Sequence, residues 1–252
     1  MHRFYVDPKD SRGKVITLSP AQTHHAMTVL RIREGERVAL LDGAGHEFLC
    51  EPRRSARSEL EFAVVQENSI PALPCKITLI QSLTKGKSMD FIVQKATELG
   101  AHRIIPILSE RSIPEPGEDK VAKWVSTAIE SIKQCGSPWL PLIDPPQSCT
   151  ALLAAPGKWD LRLLASLQSH AQHPRERLEE YRLEHRRGPR SVAVWIGPEG
   201  DFTPAEIHAI SGSGALPITL GPLILRSETA AIYCLSILNY ELQAAAAAGG
   251  AG

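Results

Sequence analysis

The sequence has no excess of either charge, no long apolar run and no paired cysteines. Its 28 lysines and arginines balance 28 aspartates and glutamates, which excludes a general polycation. No apolar run reaches the ~18 residues of a membrane helix, so we expect no membrane partner. The five cysteines form no CxxC pair, which excludes a zinc ribbon or disulfide framework, and no metal is expected. The first ten residues lack a signal-peptide core, so we expect a cytoplasmic protein.

The chain has the overall composition of a globular protein. Hydrophobic residues make up 43% of the chain and charged residues 22%, which is enough apolar matter for a core. A length of 252 residues predicts one large domain or two modest ones. Pro71–Pro74 is a stiff segment, and we expect the domain boundary there, with 1–72 as the first domain.

Residues 1–72 have the pattern of short strands separated by turn residues. Asp42–Gly45 is a hairpin-type turn, and Ala21–Leu30 is the expected helix, with Ser19 as its cap. The pattern predicts a small β-barrel. Its expected strands are Arg3–Val6, Lys14–Thr17, Arg37–Leu41, His46–Glu51 and Glu59–Val65.

From Cys75 onward, apolar strand-like runs alternate with helical segments. This alternation predicts an α/β domain over 75–244 with a mostly parallel sheet, and we expect 245–252 to be a disordered tail. The expected strands are Lys76–Leu83, Arg103–Leu108, Leu161–Leu167, Ser191–Ile196 and Pro217–Leu220. The expected helices are Ser88–Leu99, Asp119–Cys135, a helix capped by Thr203 that runs to about Ser211, and Glu228–Ala244.

Two loops carry the clearest functional signals. Ile196–Phe202 (IGPEGDF) follows a buried strand, at the end where α/β sheets bind ligands, and its glycines allow close backbone approach. A plain tight turn would also account for it. Leu220–Ala230 (LGPLILRSETA) joins a strand to a helix and is too apolar for a simple surface loop, which indicates a ligand on its concave side. Arg226 and Glu228 within it could form a structural ion pair, which is compatible with a role in the site.

Gly86-Lys87-Ser88 lies where a P-loop ends, after a strand and before a helix. A complete P-loop also needs a glycine where this chain has Gln81, so the phosphate cradle is incomplete. His24 and His25 are adjacent, and therefore cannot both face one metal ion from a helix.

Three ordered motifs, Leu83–Leu99 (LTKGKSMDFIVQKATEL), Ile196–Phe202 and Leu220–Ala230, resemble those of the RsmE-type 16S ribosomal RNA uridine-N3 methyltransferases of the SPOUT superfamily. The resemblance runs from about Arg3 to Leu242. It implies a PUA-like β-barrel followed by a SPOUT α/β domain with a C-terminal trefoil knot, which no periodicity in the sequence shows. It also implies S-adenosylmethionine as cofactor, a homodimer, and a uridine of 16S ribosomal RNA in the small subunit, near the decoding centre, as substrate.

The chemistry of uridine N3 and the resemblance together give candidate roles to residues. Arg226 is the candidate for stabilising the uridine anion or for contacting its phosphate. Glu199 and Glu228 are weaker candidates for a catalytic base or for favouring the charge of the sulfonium. The cofactor-binding candidates are Leu167, Gly197, Pro198, Glu199, Gly200, Leu220, Gly221, Leu225, Arg226 and Thr229. The RNA-binding candidates are Arg3, Arg12, Arg31, Lys85 and Lys87. The apolar residues of the last helix, which predict a dimer contact, are Ala231, Ile232, Leu235, Ile237, Leu238 and Leu242.

Three alternative functions stay open. A 2′-O-ribose or guanine-N1 methyltransferase would share the knot, but the ribose enzymes carry an Asn and Arg pair in the loop that here is Leu83–Lys87. A non-catalytic ribosome-assembly factor is disfavoured by the intact cofactor loops, and a P-loop enzyme is the least favoured.

Overall fold

The computed structural model describes residues 1–33, 35–54, 60–85, 87–112, 119–155, 157–168 and 170–243. The chain divides into two compact units between Ala72 and Leu73, inside the expected linker. The segment Ile129–Leu140 clusters with the first unit, whereas the sequence analysis assigned it to the second domain. The expected tail over 245–252 lies outside the described residues.

The first unit is built on a five-stranded sheet. The strand order is β1-β3-β4-β5-β2, and only the β1–β3 pair is parallel. Because this ladder ends at β1 and at β2, the described residues form an open sheet rather than a hydrogen-bonded barrel. Its core includes Phe4, Ile16, Leu40 and Phe62, all nearly inaccessible to solvent. The strands are β1 (Arg3–Tyr5), β2 (Val15–Thr17), β3 (Val38–Leu41), β4 (His46–Arg54) and β5 (Leu60–Ser69).

The helix expected over Ala21–Leu30 has two parts. An α-helix, α1, covers Pro20–His24, and a π-helical turn covers His25–Val29. The cap at Ser19 indicates where a helix begins, but it does not distinguish these two hydrogen-bonding patterns.

The hairpin between β3 and β4 is fixed by the carboxylate of Asp42. Its Oδ1 accepts the backbone N–H groups of Ala44 at 2.8 Å and His46 at 3.0 Å, and its Oδ2 lies 2.7 Å from His46 Nδ1. Gly45 continues the turn with a φ of 104°, and its N–H donates to the carbonyl of Pro138 at 3.0 Å. The indole of Trp139 donates to the carbonyl of Ile70 at 3.0 Å. These contacts explain why Ile129–Leu140 clusters with the first unit.

We expect Gly45→Ala to lower the free energy of unfolding of the first unit by about 2–4 kcal/mol, since overpacking and a left-handed backbone both destabilise. A Cβ at Gly45 would lie 2.5 Å from Trp139 Cζ2. Gly13 is the matched control, because its φ is 107° and a Cβ there would meet nothing within 4 Å. Urea unfolding should therefore show a much larger loss for Gly45→Ala than for Gly13→Ala, and equal losses would contradict the packing argument.

The second unit contains a parallel sheet with helices along the chain between its strands. The order is β12-β10-β11-β6-β7-β8, with β9 also beside β7, and every pairing is parallel, as the sequence predicts. The strands are β6 (Lys76–Ser82), β7 (Arg103–Leu108), β8 (Leu142–Ile143), β9 (Gln147–Ser148), β10 (Leu161–Ala165), β11 (Ser191–Ile196) and β12 (Leu216–Ile218). The helices that follow β5 along the chain are α2 (Ser88–Glu98), α3 (Lys120–Cys135), α4 (Cys149–Ala154), α5 (Pro174–His185), α6 (Pro204–Gly212) and α7 (Ser227–Gln243), and α3 ends within the segment that clusters with the first unit. No helix in the described part of the chain is long and apolar enough to cross a membrane.

The sequence analysis missed helices α4 and α5. In α5 the buried residues are Pro174, Leu178 and Tyr181, and nearly every other position is charged or polar. Helix α4 has six residues, too few to show an apolar period. The capping box predicted before α6 is present, since the Thr203 side chain accepts the N–H of Glu206 and the Glu206 carboxylate accepts the N–H of Thr203.

Candidate functional site

A cleft lies at the carboxyl ends of β10, β11 and β12. These three parallel strands are neighbours in the sheet, so the loops that follow them meet at one edge. The cleft measures about 610 Å³ including its open mouth. Its lining residues are Ala165, Ser166, Leu167, Ile196, Gly197, Pro198, Glu199, Asp201, Thr219, Leu220, Gly221, Leu223, Ile224, Leu225, Ser227 and Ala230.

Most of the cofactor-binding candidates line this cleft. They are Leu167, Gly197, Pro198, Glu199, Leu220, Gly221 and Leu225. Gly200, Arg226 and Thr229 do not line it. Leu167, expected at the end of a strand, lies in the loop after β10 and is 62% exposed. The strand is shorter than predicted, because Ser166 and Leu167 have left the sheet and line the cleft.

The sequence analysis missed Ser227 and Ala230, which lie three residues apart on the first turn of α7 and both reach the cleft. Helical residues with this spacing share a face, so the pattern indicates that the two side chains point the same way, but not that they point into the cleft. Thr229, which the motif suggested, is exposed on another face of the helix.

Two glycines shape the walls of the cleft in different ways. Gly221 has a φ of 102° with open space where a Cβ would stand, so the backbone conformation requires glycine and the cleft stays wide. A Cβ at Gly197 would stand 3.1 Å from Asp201 Oδ1 and 3.3 Å from the ring of Phe202. Gly197 therefore serves the packing of its own loop.

The loop Gly197–Phe202 is tied to two neighbouring loops. The carboxylate of Glu199 accepts the backbone N–H of Lys85 at 3.1 Å, and Arg111 donates to the carbonyl of Gly200 at 2.8 Å. These contacts connect the loop to the segments after β6 and β7. Glu199 thus has an observed partner that holds the rim of the cleft in shape.

In the described part of the chain, Arg226 and Glu228 do not form an ion pair. Arg226 is exposed beside Leu225, which does line the cleft, and its side chain has no hydrogen bond or ion pair within the described part of the chain. Glu228 is half-buried at the start of α7. The structural ion pair left open by the sequence is therefore not formed, and the Arg226 guanidinium is available to a ligand.

The RNA-binding candidates occupy two kinds of environment. Arg3 is half-buried within the first unit, where its guanidinium reaches the carbonyl of Gln134 at 3.5 Å and packs on Gly136. Arg12, Arg31, Lys85 and Lys87 are exposed. Arg3 thus has a packing role that its motif position did not reveal. Gly86 of the incomplete P-loop lies outside the described residues.

Buried thiols do not supply a nucleophile for the cleft. Burial raises the pKa of Cys149 to about 11 and that of Cys234 to about 12, and the same effect raises the pKa of Cys50 and Cys75 to about 12. These four groups stay protonated at neutral pH, which weakens them as nucleophiles. Among the described residues no group of three or more His, Cys, Asp or Glu side chains could hold a metal ion.

Comparison with known proteins identifies the class to which this fold and cleft belong. A model described as an RNA methyltransferase domain matches residues 71–239, and one described as an RNA methyltransferase PUA domain matches residues 18–51. The chain belongs to the ribosomal RNA small subunit methyltransferase E family. The member from Aquifex aeolicus is 31% identical over 241 residues, covering 94% of this chain and 99% of its own.

Solved structures agree with this assignment. Ribosomal RNA small subunit methyltransferase E from Neisseria gonorrhoeae, bound to S-adenosyl methionine, has a TM-score of 0.83 at 29% identity and covers 96% of this chain and 98% of its own. A putative methyltransferase from Legionella pneumophila, in complex with the same cofactor, has a TM-score of 0.81 at 31% identity, with 95% and 97% covered.

Proposed function

We propose that this protein transfers a methyl group from S-adenosylmethionine to N3 of a uridine in 16S ribosomal RNA, near the decoding centre of the small subunit. The observation that carries the proposal is the cleft formed by the Gly197–Phe202 and Leu220–Arg226 loops at the ends of adjacent parallel strands. The solved relatives that bind S-adenosylmethionine share this fold at similar length. The family name of the relatives supports the small-subunit RNA as substrate.

The residues of the cleft fit the proposed cofactor. Leu220, Leu223 and Leu225 offer an apolar wall for an adenine ring, and the conformation of Gly221 keeps the backbone accessible. The carboxylates of Glu199 and Asp201 also line the cleft and favour a cation such as a sulfonium. The bound cofactor supplies an electrophilic methyl group.

The chain's own residues must make uridine N3 nucleophilic. N3 carries a proton at neutral pH, so the site has to stabilise the anion that its loss creates. Arg226, exposed beside the cleft and without a partner among the described residues, supplies a positive charge at that place. Glu199 and Glu228 are the candidate proton acceptors, and Glu199 is the weaker of the two because its carboxylate already holds the Lys85 N–H.

Paired variants at Glu199 distinguish a structural carboxylate from a catalytic base. Glu199→Gln should keep most of the transfer rate, because the amide oxygen still accepts the Lys85 N–H. Glu199→Ala should lower transfer about tenfold, as expected when a hydrogen bond to a backbone donor is lost. The methyl-transfer rates of the two variants show whether Glu199 has the structural role. Equal, severe losses in both at saturating cofactor would instead assign Glu199 as the proton acceptor.

Other parts of the proposal concern partners and topology. The first unit would bind RNA through exposed basic residues such as Arg12 and Arg31, as a PUA-like domain. We propose that the second unit forms the trefoil knot around the cleft loops, that the enzyme works in the cytoplasm where small subunits are made, and that it is a homodimer.

The surface that supports a dimer is smaller than the sequence predicts. Ala231, Leu235, Leu238 and Leu242 are buried, and α7 packs against α2, β6 and β11. The apolar side chains left exposed near this helix are Leu223, Ile224, Tyr233 and Tyr240. A second copy of the chain covering Leu223 and Ile224 would place part of the dimer contact beside the mouth of the cleft.

Mapping modified nucleosides tests the proposed function in cells. Small-subunit RNA is purified from a strain that makes this protein, from the same strain with its gene deleted, and from the deletion strain complemented with the gene. One N3-methyluridine should disappear on deletion and return on complementation. Loss of a 2′-O-methyl or guanine-N1 methyl group instead would contradict the proposal.

A further inference from the structure

The two walls of the cleft are joined by one buried hydroxyl group. Ser227 Oγ, at the start of α7, donates to the carbonyl oxygen of Gly197 at 2.6 Å. It accepts a hydrogen bond from Gln81 Nε2, at the end of β6, at 2.9 Å. Ser227 is 5% exposed and Gln81 is fully buried. A polar chain therefore runs from a central strand of the sheet, through Ser227, to the loop after β11.

The orientation of the Gln81 amide follows from its neighbours. Its nitrogen also donates to the carbonyl of Ser82 at 2.9 Å, and a carbonyl oxygen can only accept. Ser227 therefore accepts from Gln81 and its own proton points to Gly197. Gln81 Oε1 is buried with no hydrogen-bond partner among the described residues. An unpartnered buried oxygen is unfavourable. The two hydrogen bonds that Nε2 donates, to Ser82 and to Ser227, hold the amide in this orientation.

We infer that Ser227 is a positioning residue that fixes the separation of the Gly197–Phe202 and Leu220–Arg226 loops before the cofactor enters. We call the hydrogen bonds from Gln81 to Ser227 and from Ser227 to Gly197 the tie. The inference rests on the proposed function for the identity of the ligand, but the tie is a property of the ligand-free protein. A cleft that is already shaped avoids the free-energy cost of ordering both loops on binding, which raises affinity.

Hydrogen exchange in the ligand-free protein tests the tie directly. Ser227→Ala removes the hydroxyl, and amides of residues 199–203 and 219–226 should exchange about tenfold faster, as expected for one lost buried hydrogen bond. Ser82→Ala is the matched control, because it removes a buried hydroxyl from the same end of β6, where Ser82 Oγ pairs with Ser109 Oγ. The control should leave exchange in both cleft loops unchanged. If the amides of these two loops exchange in Ser227→Ala at the wild-type rate, the inference is overturned.

Two further variants test the inference if Ser227→Ala does not fold. Gln81→Met keeps the Ser227 hydroxyl but removes the donor that orients it, together with the hydrogen bond to the Ser82 carbonyl. It should raise exchange in the same two loops by a smaller factor. Ser227→Thr keeps a hydroxyl and should restore wild-type exchange. Wild-type exchange rates in Gln81→Met would also contradict the tie. So would loop amides that exchange as fast in Ser227→Thr as in Ser227→Ala.

The affinity for S-adenosylmethionine and the rate of transfer then distinguish a failure of this inference from a failure of the proposed function. Ser227→Ala should raise the dissociation constant of S-adenosylmethionine about tenfold. Its transfer rate at saturating cofactor should fall by less than a factor of about 3, since Ser227 shapes the cleft without touching the uridine. Equal affinity in Ser227→Ala and wild type would overturn the inference. A wild-type protein that binds no S-adenosylmethionine would contradict the proposed function, while the exchange data would still decide whether the tie exists.

Discussion

Arg226→Ala should lower the rate of methyl transfer by on the order of 10²-fold or more, the usual effect of removing a preorganised electrostatic donor. Arg226 is exposed beside the cleft, and its side chain has no partner within the described residues. Its charge is therefore available to a ligand, and we propose that it acts on the uridine anion. Arg226→Lys should recover transfer only in part, because lysine keeps the charge but not the planar fork. Single-turnover transfer to small-subunit RNA measures both variants.

The same variant should change little else. Because no ion pair to Glu228 is lost, the melting temperature should stay near that of the wild type. Affinity for the cofactor should also be nearly unchanged, since the sulfonium is already cationic. Arg175→Ala on α5 is the control: it removes an exposed arginine paired with Glu179, away from the cleft, and should leave transfer intact. An Arg226→Ala protein that melts early and binds cofactor poorly, yet transfers normally at saturation, would remove Arg226 from the chemistry.

Ala230→Phe should abolish measurable binding of S-adenosylmethionine or weaken it by about 100-fold or more, a loss of roughly 2.7 kcal/mol. Ala230 lies on the first turn of α7 and lines the cleft, so a phenyl ring there occupies the space proposed for the cofactor. The helix tolerates the change, because a phenylalanine at one position lowers helix stability by less than ~1 kcal/mol. Isothermal calorimetry measures the effect.

Ala122→Phe provides the matched control for this substitution. Ala122 is an exposed residue of α3, so the same change in side chain occurs outside the cleft. The control should bind S-adenosylmethionine as the wild type does, and both variants should melt at similar temperatures. Normal affinity in Ala230→Phe would place the cofactor elsewhere on the protein.

The sequence predicted the parallel sheet because its strands are continuous apolar runs between turn residues. Ser191–Ile196 was predicted with the bounds that the structure has, and its last five residues are buried. Helix α5 could not be found in this way, since charged residues occupy nearly all of its surface and only a few positions reach the core. Local pattern thus sufficed where burial is continuous and failed where a helix makes few contacts.

The candidate site was predicted to the level of its loops but not of every side chain. The two motifs mark the walls of the cleft, yet Ser227 and Ala230 face it while Thr229 and Arg226 do not line it. The packing of Trp139 on Gly45 joins positions far apart in the chain. Neither the direction of a side chain at a helix start nor a contact between distant segments follows from local periodicity, because both depend on the packed tertiary structure.

Methyl transfer in a purified system tests the central claim most directly. S-adenosylmethionine labelled in its methyl group is incubated with the protein and with either naked 16S ribosomal RNA or small subunits from a strain that lacks the gene, and the RNA is digested to nucleosides. The label should be recovered in N3-methyluridine from at least one of the two substrates, and it should be lost with Ala230→Phe. Label in another nucleoside, or none in either substrate from a wild-type protein that binds the cofactor, would contradict the account.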